Sequence, residues 1–225
     1  MSVCRRLWIG GVLLSLLGCA KQLETGPPID NPEALAARLR ASTGPTAPYR
    51  LRFAWRYADE KGRLDGEGVV RYNPSDSLRL DLFAPGDASM SVALTPSGLS
   101  SLGQIESVRL PGPVFLYGMA GIFRPGQGPP SSGYRTAESE VLVFGEENSA
   151  LYVYVDGSRI VRIEERRGRR VQRRIEVTWD EVGEWPRSAA YRDFVESRRV
   201  RWDLTEATEL GTGNAKEIYD LPHSM

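Results

Sequence analysis

Between residues 49 and 57 the chain alternates: Tyr49, Leu51, Phe53, Trp55 and Tyr57 are large and largely apolar, while Arg50, Arg52 and Arg56 lie between them. A period of two sends successive side chains to opposite faces of a strand. The segment therefore specifies a sheet with one charged, solvated side and one side that has to be covered.

The pattern recurs along the chain. Leu64 to Tyr72 alternates more weakly and carries Gly66 and Gly68, which suit a bulge or a sharp coiling of the sheet. Leu78, Leu80 and Leu82, then Met90, Val92 and Leu94, repeat it on either side of a turn at Ala84-Pro85-Gly86-Asp87, and Thr95 to Gly98 forms the next turn. Strand signals resume at about Glu140 to Gly145, Leu151 to Val155, Ile160 to Glu165, Val171 to Trp179, Ala189 to Val195 and Val200 to Leu204, with hairpin turns at Asp156-Gly157 and Gly168. The total is about ten or eleven strands without a parallel-sheet crossover, which predicts a mainly β domain built as a barrel or a strongly coiled sheet. Two segments break the alternation. Asp30 or Asn31 as N-cap, Pro32 at the first helical position, then Leu35 and Leu39 predict a helix to about Ala41. The apolar run from Pro113 to Phe123 predicts a helix of about three turns, with loops at 103–112 and 125–133.

Composition removes most catalytic classes. His223, among the last three residues, is the one histidine of 225 residues, and Cys4 and Cys19 are the two cysteines. Triad, His-zinc and CxxC chemistry therefore lack their reagents, and no metal or cofactor site is expected. Glu138, Glu140, Glu146 and Glu147 form the nearest approach to a carboxylate cluster, a pattern ordinary for exposed strand ends. The 29 basic residues balance 29 acidic ones, so no overall field attracts nucleic acid.

At the N-terminus, Arg5 and Arg6 precede an uncharged run of eleven residues, Leu7 to Leu17. A bilayer-spanning helix needs about 20 residues, so the run reads as a signal-peptide core. It ends in Leu16-Leu17-Gly18-Cys19, which resembles the lipobox of bacterial lipoproteins. The resemblance implies diacylglycerol on the Cys19 thiol, cleavage before Cys19 and acylation of the new amino terminus, so that palmitate is incorporated. Residues 1–18 are then the signal peptide, 19–31 the lipidated Cys and a flexible tether, and 32–225 the folded domain. Several acyl chains on one residue anchor a protein stably. Ala20 stands where similar enterobacterial lipoproteins carry Asp when they stay at the inner membrane, which implies the periplasmic face of the outer membrane.

The order of helix, strand meander, apolar helical insert and second strand run, on a lipobox-bearing chain, resembles the LolA/LolB-like lipoprotein-carrier superfamily. Asp76 to Leu82 followed by Pro85-Gly86, and Glu176 to Asp180 followed by Gly183 and Pro186, carry the local likeness. The resemblance implies one antiparallel sheet curled into a half-open barrel, with helices closing the mouth over an apolar cavity for acyl chains. LolB-type acceptors carry an exposed leucine in the loop after the third strand; here that loop, Ala84 to Ser89, has none and contains Asp87.

Candidate ligand-binding residues follow from the apolar face: Leu51, Phe53, Trp55, Leu80, Leu82, Val92, Leu94, Val153, Ile175 and Val177. Acyl chains bind through dispersion and apolar burial and need few polar partners. The same residues equally make a filled core, the reading the residues alone favour; the resemblance favours a cavity. Phe115, Leu116, Met119 and Phe123 form a lid or a permanent plug. Eight Arg between Arg159 and Arg174, with Arg166, Arg167, Arg169 and Arg170 at the centre, are candidates for lipid-headgroup contact, against the plainer reading of a solvated face. The expectation is thus a membrane-anchored, non-enzymatic carrier or acceptor of a lipid or lipoprotein acyl chain. The alternative is an envelope assembly lipoprotein with a filled β domain that docks a protein or polyanion.

Overall fold

A computed structural model describes residues 26–210 except 75–76, 96–97, 104, 106–107, 127, 147 and 182. The signal segment, Cys19 and His223 lie outside the described residues. The chain forms α1 (Pro32–Thr43), β1 (Tyr49–Asp59), β2 (Gly62–Asn73), β3 (Ser77–Phe83), β4 (Ser89–Thr95), β5 (Gly98–Gly103), α2 (Pro113–Met119), β6 (Ser132–Arg135), β7 (Glu140–Glu146), β8 (Ser149–Asp156), β9 (Arg159–Arg167), β10 (Arg170–Trp179), β11 (Pro186–Asp193) and β12 (Arg198–Glu209). Asn31 caps α1, its Oδ1 accepting from the Ala34 N–H at 2.9 Å, and Pro32 occupies the first turn.

All twelve strands belong to one antiparallel sheet in the order β5-β4-β3-β2-β1-β12-β11-β10-β9-β8-β7-β6. Two meanders are thus zipped together where the first strand meets the last, and the sheet does not close. The count exceeds the expected ten or eleven because both outermost strands, β5 and β6, fall in stretches that carry turn and loop signals. All six residues of β5 are exposed, so no apolar alternation marks it. β6 has four residues, and its outer edge is occupied by the chain before α1, where Ile29 N–H donates to Gly133 O and Arg135 N–H to Pro27 O. That pairing removes one of the two open edges.

The alternation read in β1 is realised: Tyr49, Leu51, Phe53, Trp55 and Tyr57 are buried on the inner face. Their bulk needs space on the next strand, and the glycines of β2 provide it. Gly68 lies opposite Phe53, and a Cβ there would sit 2.4 Å from the Phe53 ring. Phe53 in turn stacks on Trp202 of β12, ring centroids 4.5 Å apart. The indole N–H of Trp55 donates to Glu67 O at 2.9 Å. On the outer face, Arg56 and Arg201 share Asp203, and Asp81 is buried beneath Arg71 and Arg79. Overpacking a core costs about 1–3 kcal/mol, so Gly68→Val should lower stability by that amount and Gly112→Ala, in open space at an ordinary φ, by less. Denaturant midpoints of the two variants measure it; equal midpoints would show that the Phe53 seat is not tight.

Candidate functional site

An open sheet with an apolar inner face needs a cover, and α2 lies on it against β9, β10 and β11. Pro113 starts the helix, whose residues Phe115 to Met119 are all buried. A helix apolar on every side is one enclosed by protein. Gly118 is the point of closest approach: a Cβ there would lie 2.5 Å from Ile175 Cδ1 and 2.6 Å from Ile163 Cδ1. The helix stops after two turns, short of the expected three, because Gly121 takes φ +80, which glycine adopts without strain. Beyond it, Phe123 packs near Phe144, and its N–H donates to Thr43 Oγ1 at the end of α1, 2.9 Å away. The two helices are thereby tied together over the sheet.

All fourteen candidate lining residues, Leu51, Phe53, Trp55, Leu80, Leu82, Val92, Leu94, Phe115, Leu116, Met119, Phe123, Val153, Ile175 and Val177, are buried within one apolar cluster. Three of them, Leu51, Phe53 and Met119, border a half-open crevice of about 20 Å³ together with Trp202. Such a space holds about one water, whereas ligand pockets begin near 300 Å³. With α2 seated, the space between these residues is smaller than an acyl chain. Trp202 nevertheless buries its indole N–H without an acceptor among the described residues, and buried polar groups of this kind nearly always have one.

Of the four candidate headgroup arginines, Arg166 is set apart from the other three. The guanidinium of Arg166 is held by the buried carboxylate of Glu164, donates to Tyr154 Oη at 2.7 Å and lies 4.4 Å above the Tyr152 ring. Arg167, Arg169 and Arg170 are exposed around the β9–β10 turn. A register shift between Val171 and Arg173 breaks the simple alternation of that hairpin, which is why sequence spacing treats the four alike. Among the acids, Glu140 pairs with Arg38 and Arg135, while Glu138 and Glu146 are exposed.

Sequence reasoning missed a polar latch at one rim of the half-barrel. Asp193 Oδ1 accepts from the N–H groups of Val195 and Glu196, closing the β11–β12 turn, and Oδ2 accepts from Arg198, Arg173 and Tyr191. Arg198 also donates to Arg109 O at 2.9 Å, just ahead of α2. Asp193 is 1 % exposed. Burial alone would raise its pKa, but the two turn N–H groups and the guanidiniums of Arg198 and Arg173 hold it down to about 2. The Tyr191 hydroxyl, buried beside that carboxylate, is pushed up to about 12. Within the sequence, only the spacing of an Asp just ahead of a Phe-Val-Glu-Ser turn hinted at the turn-closing role.

A carboxylate with a depressed pKa stabilises the fold above its ordinary value of 3.8 and loses that contribution as pH falls through its folded value. The stability advantage of the wild type over Asp193→Asn should therefore shrink by about 2 kcal/mol between pH 5 and pH 2. Denaturation series at both pH values test this; an advantage independent of pH would remove Asp193 from the latch.

No protein-family model matches the sequence, and a search of curated proteins finds no match. Solved structures do match. A LolA superfamily protein from Nitrosomonas europaea superposes with a TM-score of 0.55 at 13 % identity, covering 83 % of this chain and 97 % of that one. A DUF1329 family protein from Desulfovibrio piger gives 0.55 at 11 % identity, over 86 % and 98 % of the two chains. An outer membrane lipoprotein-sorting protein domain from Vibrio parahaemolyticus gives 0.50 at 9 % identity, over 84 % and 96 %. At such identities the likeness is one of architecture, and it bears out the resemblance read from the sequence: the chain has the LolA/LolB-like fold.

Proposed function

We propose that this chain is an envelope lipoprotein, anchored through acylated Cys19 to the periplasmic face of the outer membrane, that carries or accepts a lipid or lipoprotein acyl chain. No bond is made or broken. The fold it shares with a lipoprotein-sorting domain supports this reading. The observation that carries it is the junction of Met119 and Trp202, where a two-turn helix covers the apolar face beside a buried indole N–H that lacks an acceptor.

Binding then requires the 113–123 segment to leave the sheet. Its departure exposes the face of Phe53, Ile163, Ile175 and Trp202, and the acyl chain replaces one set of apolar contacts with another. Each methylene buried contributes about 0.8 kcal/mol, and the ester or amide carbonyl at the head of the chain supplies the acceptor that the Trp202 N–H lacks. Delivery is a separate matter. The loop at 84–88, closed by a hydrogen bond from Ala84 N–H to Ala88 O, offers no leucine, but Phe83 beside it is 48 % exposed.

The 20 Å³ crevice favours a second reading, in which the filled domain is a scaffold that docks an envelope protein partner or polyanion. Mass spectrometry of the full chain extracted from membranes separates the two. The carrier reading expects a covalent lipid at Cys19 under denaturing conditions plus about one equivalent of non-covalent acyl lipid under native ones. Trp202→Phe, which removes the indole N–H, should strip most of the non-covalent lipid while leaving the covalent one. A native mass without added lipid, and no uptake of fluorescent fatty acid, would establish the scaffold instead. Separately, Cys19→Ser should abolish palmitate labelling and move the chain to the soluble fraction; retained labelling would refute the anchor.

A further inference from the structure

On the outer face, opposite α2, strand pairing builds a basic row that no single stretch of sequence contains. Arg63 of β2 lies opposite Ala58 of β1, Ala58 opposite Arg199 of β12, Arg199 opposite Arg192 of β11, and Arg192 opposite Arg174 of β10. Directly opposed like charges destabilise a sheet. Here the repulsion recurs at two consecutive strand pairs, Arg199–Arg192 and Arg192–Arg174.

Three other guanidiniums in and beside this row are neutralised. Arg56 and Arg201 share Asp203, and Arg174 is divided between Glu164 and Glu176. Arg63, Arg192 and Arg199 have no carboxylate partner among the described residues. They also surround a recess of about 540 Å³, whose lining adds the paired Arg56, Arg174 and Arg201 and two acids, Asp65 and Glu176. The recess exists because Ala58 and Ala190 are short where their neighbours are long. Phe194, 38 % exposed, forms one wall, with the guanidiniums of Arg192 and Arg174 at 5.6 and 5.8 Å from its ring.

We infer that this recess is a binding site for a phosphate-bearing ligand. Arg192 and Arg174 flank the same Phe194 ring, and guanidiniums on adjacent strands can share one acceptor group; a phosphate offers several charged oxygens to planar N–H forks where a single carboxylate offers two. Phe194 supplies an apolar wall for the organic part that carries the phosphate. The site lies on the face of the sheet turned away from α2, so its occupation does not compete with the interior.

Titration calorimetry of the full chain in non-ionic detergent, with glycerol phosphate as probe, tests the soluble form of the ligand. Flotation of the full chain carrying Cys19→Ser, which leaves no acyl anchor, with zwitterionic vesicles, with and without phosphatidylglycerol, tests the lipid-headgroup form. The expected result is saturable binding in one arm that falls at least tenfold in Arg192→Ser/Arg199→Ser and less than twofold in Arg169→Ser/Arg170→Ser, whose arginines are equally exposed but line no recess. Binding to glycerol phosphate assigns a soluble phosphate compound; binding to anionic vesicles alone assigns a headgroup. Relief of the repulsion should also leave the melting temperature of the recess variant equal to or above that of the wild type at low salt, which separates lost binding from lost folding. Equal losses in both double variants, absence of binding in both arms, or tighter binding of polyglutamate than of either phosphate probe would overturn the assignment.

Discussion

A twelve-stranded sheet that stays open leaves an apolar face to be covered by something other than itself, and the rest of this molecule is arranged around that need. The two edge strands, β5 and β6, are consecutive in sequence yet at opposite ends of the sheet. The connection between them therefore has to cross the sheet, and α2 rides on that crossing. Cover and connection are one segment. Its contacts are short-range and specific: Gly118 against Ile163 and Ile175, Phe115 edge-on to Tyr191, Phe123 bonded to Thr43.

The polar groups reinforce this arrangement at its rim. Asp193 organises the β11–β12 turn, holds Arg198 and, through it, the carbonyl of Arg109 at the approach to α2. Removing one partner of a buried ion pair costs about 3–5 kcal/mol, because the other charge stays buried. The latch thus fixes where the crossing segment begins, while Thr43 fixes where it ends. Between these two points Phe115, Leu116, Gly118 and Met119 hold the segment by apolar contact, which is non-directional and can be exchanged for contact with an acyl chain.

Much of the architecture was legible because burial imposes a period. The inner residues of β1, β3 and β4, the N-cap of α1 and the turn glycines Gly157 and Gly168 all sit where the alternation and turn chemistry put them. The outer strands were not legible, since β5 buries nothing and β6 spans four residues. Nor was the state of the interior, because Phe53, Ile175 and Met119 have the same alternation whether they line a void or fill it. The Asp193 latch and the outer Arg row depend on register: Arg63, Arg199, Arg192 and Arg174 become neighbours only once four strand pairings are known.

Carriage of an acyl chain requires that α2 be a separable cover and not part of the sheet's own cooperative unit. Native-state hydrogen exchange of the amides of residues 115–123, compared with those of β8 to β10, tests this most directly. Opening of the 115–123 amides at a free energy well below that of the strands, and protection of the same amides changed by added fatty acid, is the predicted result. Exchange of both sets only through global unfolding, unaffected by fatty acid, would contradict it and leave a solid scaffold.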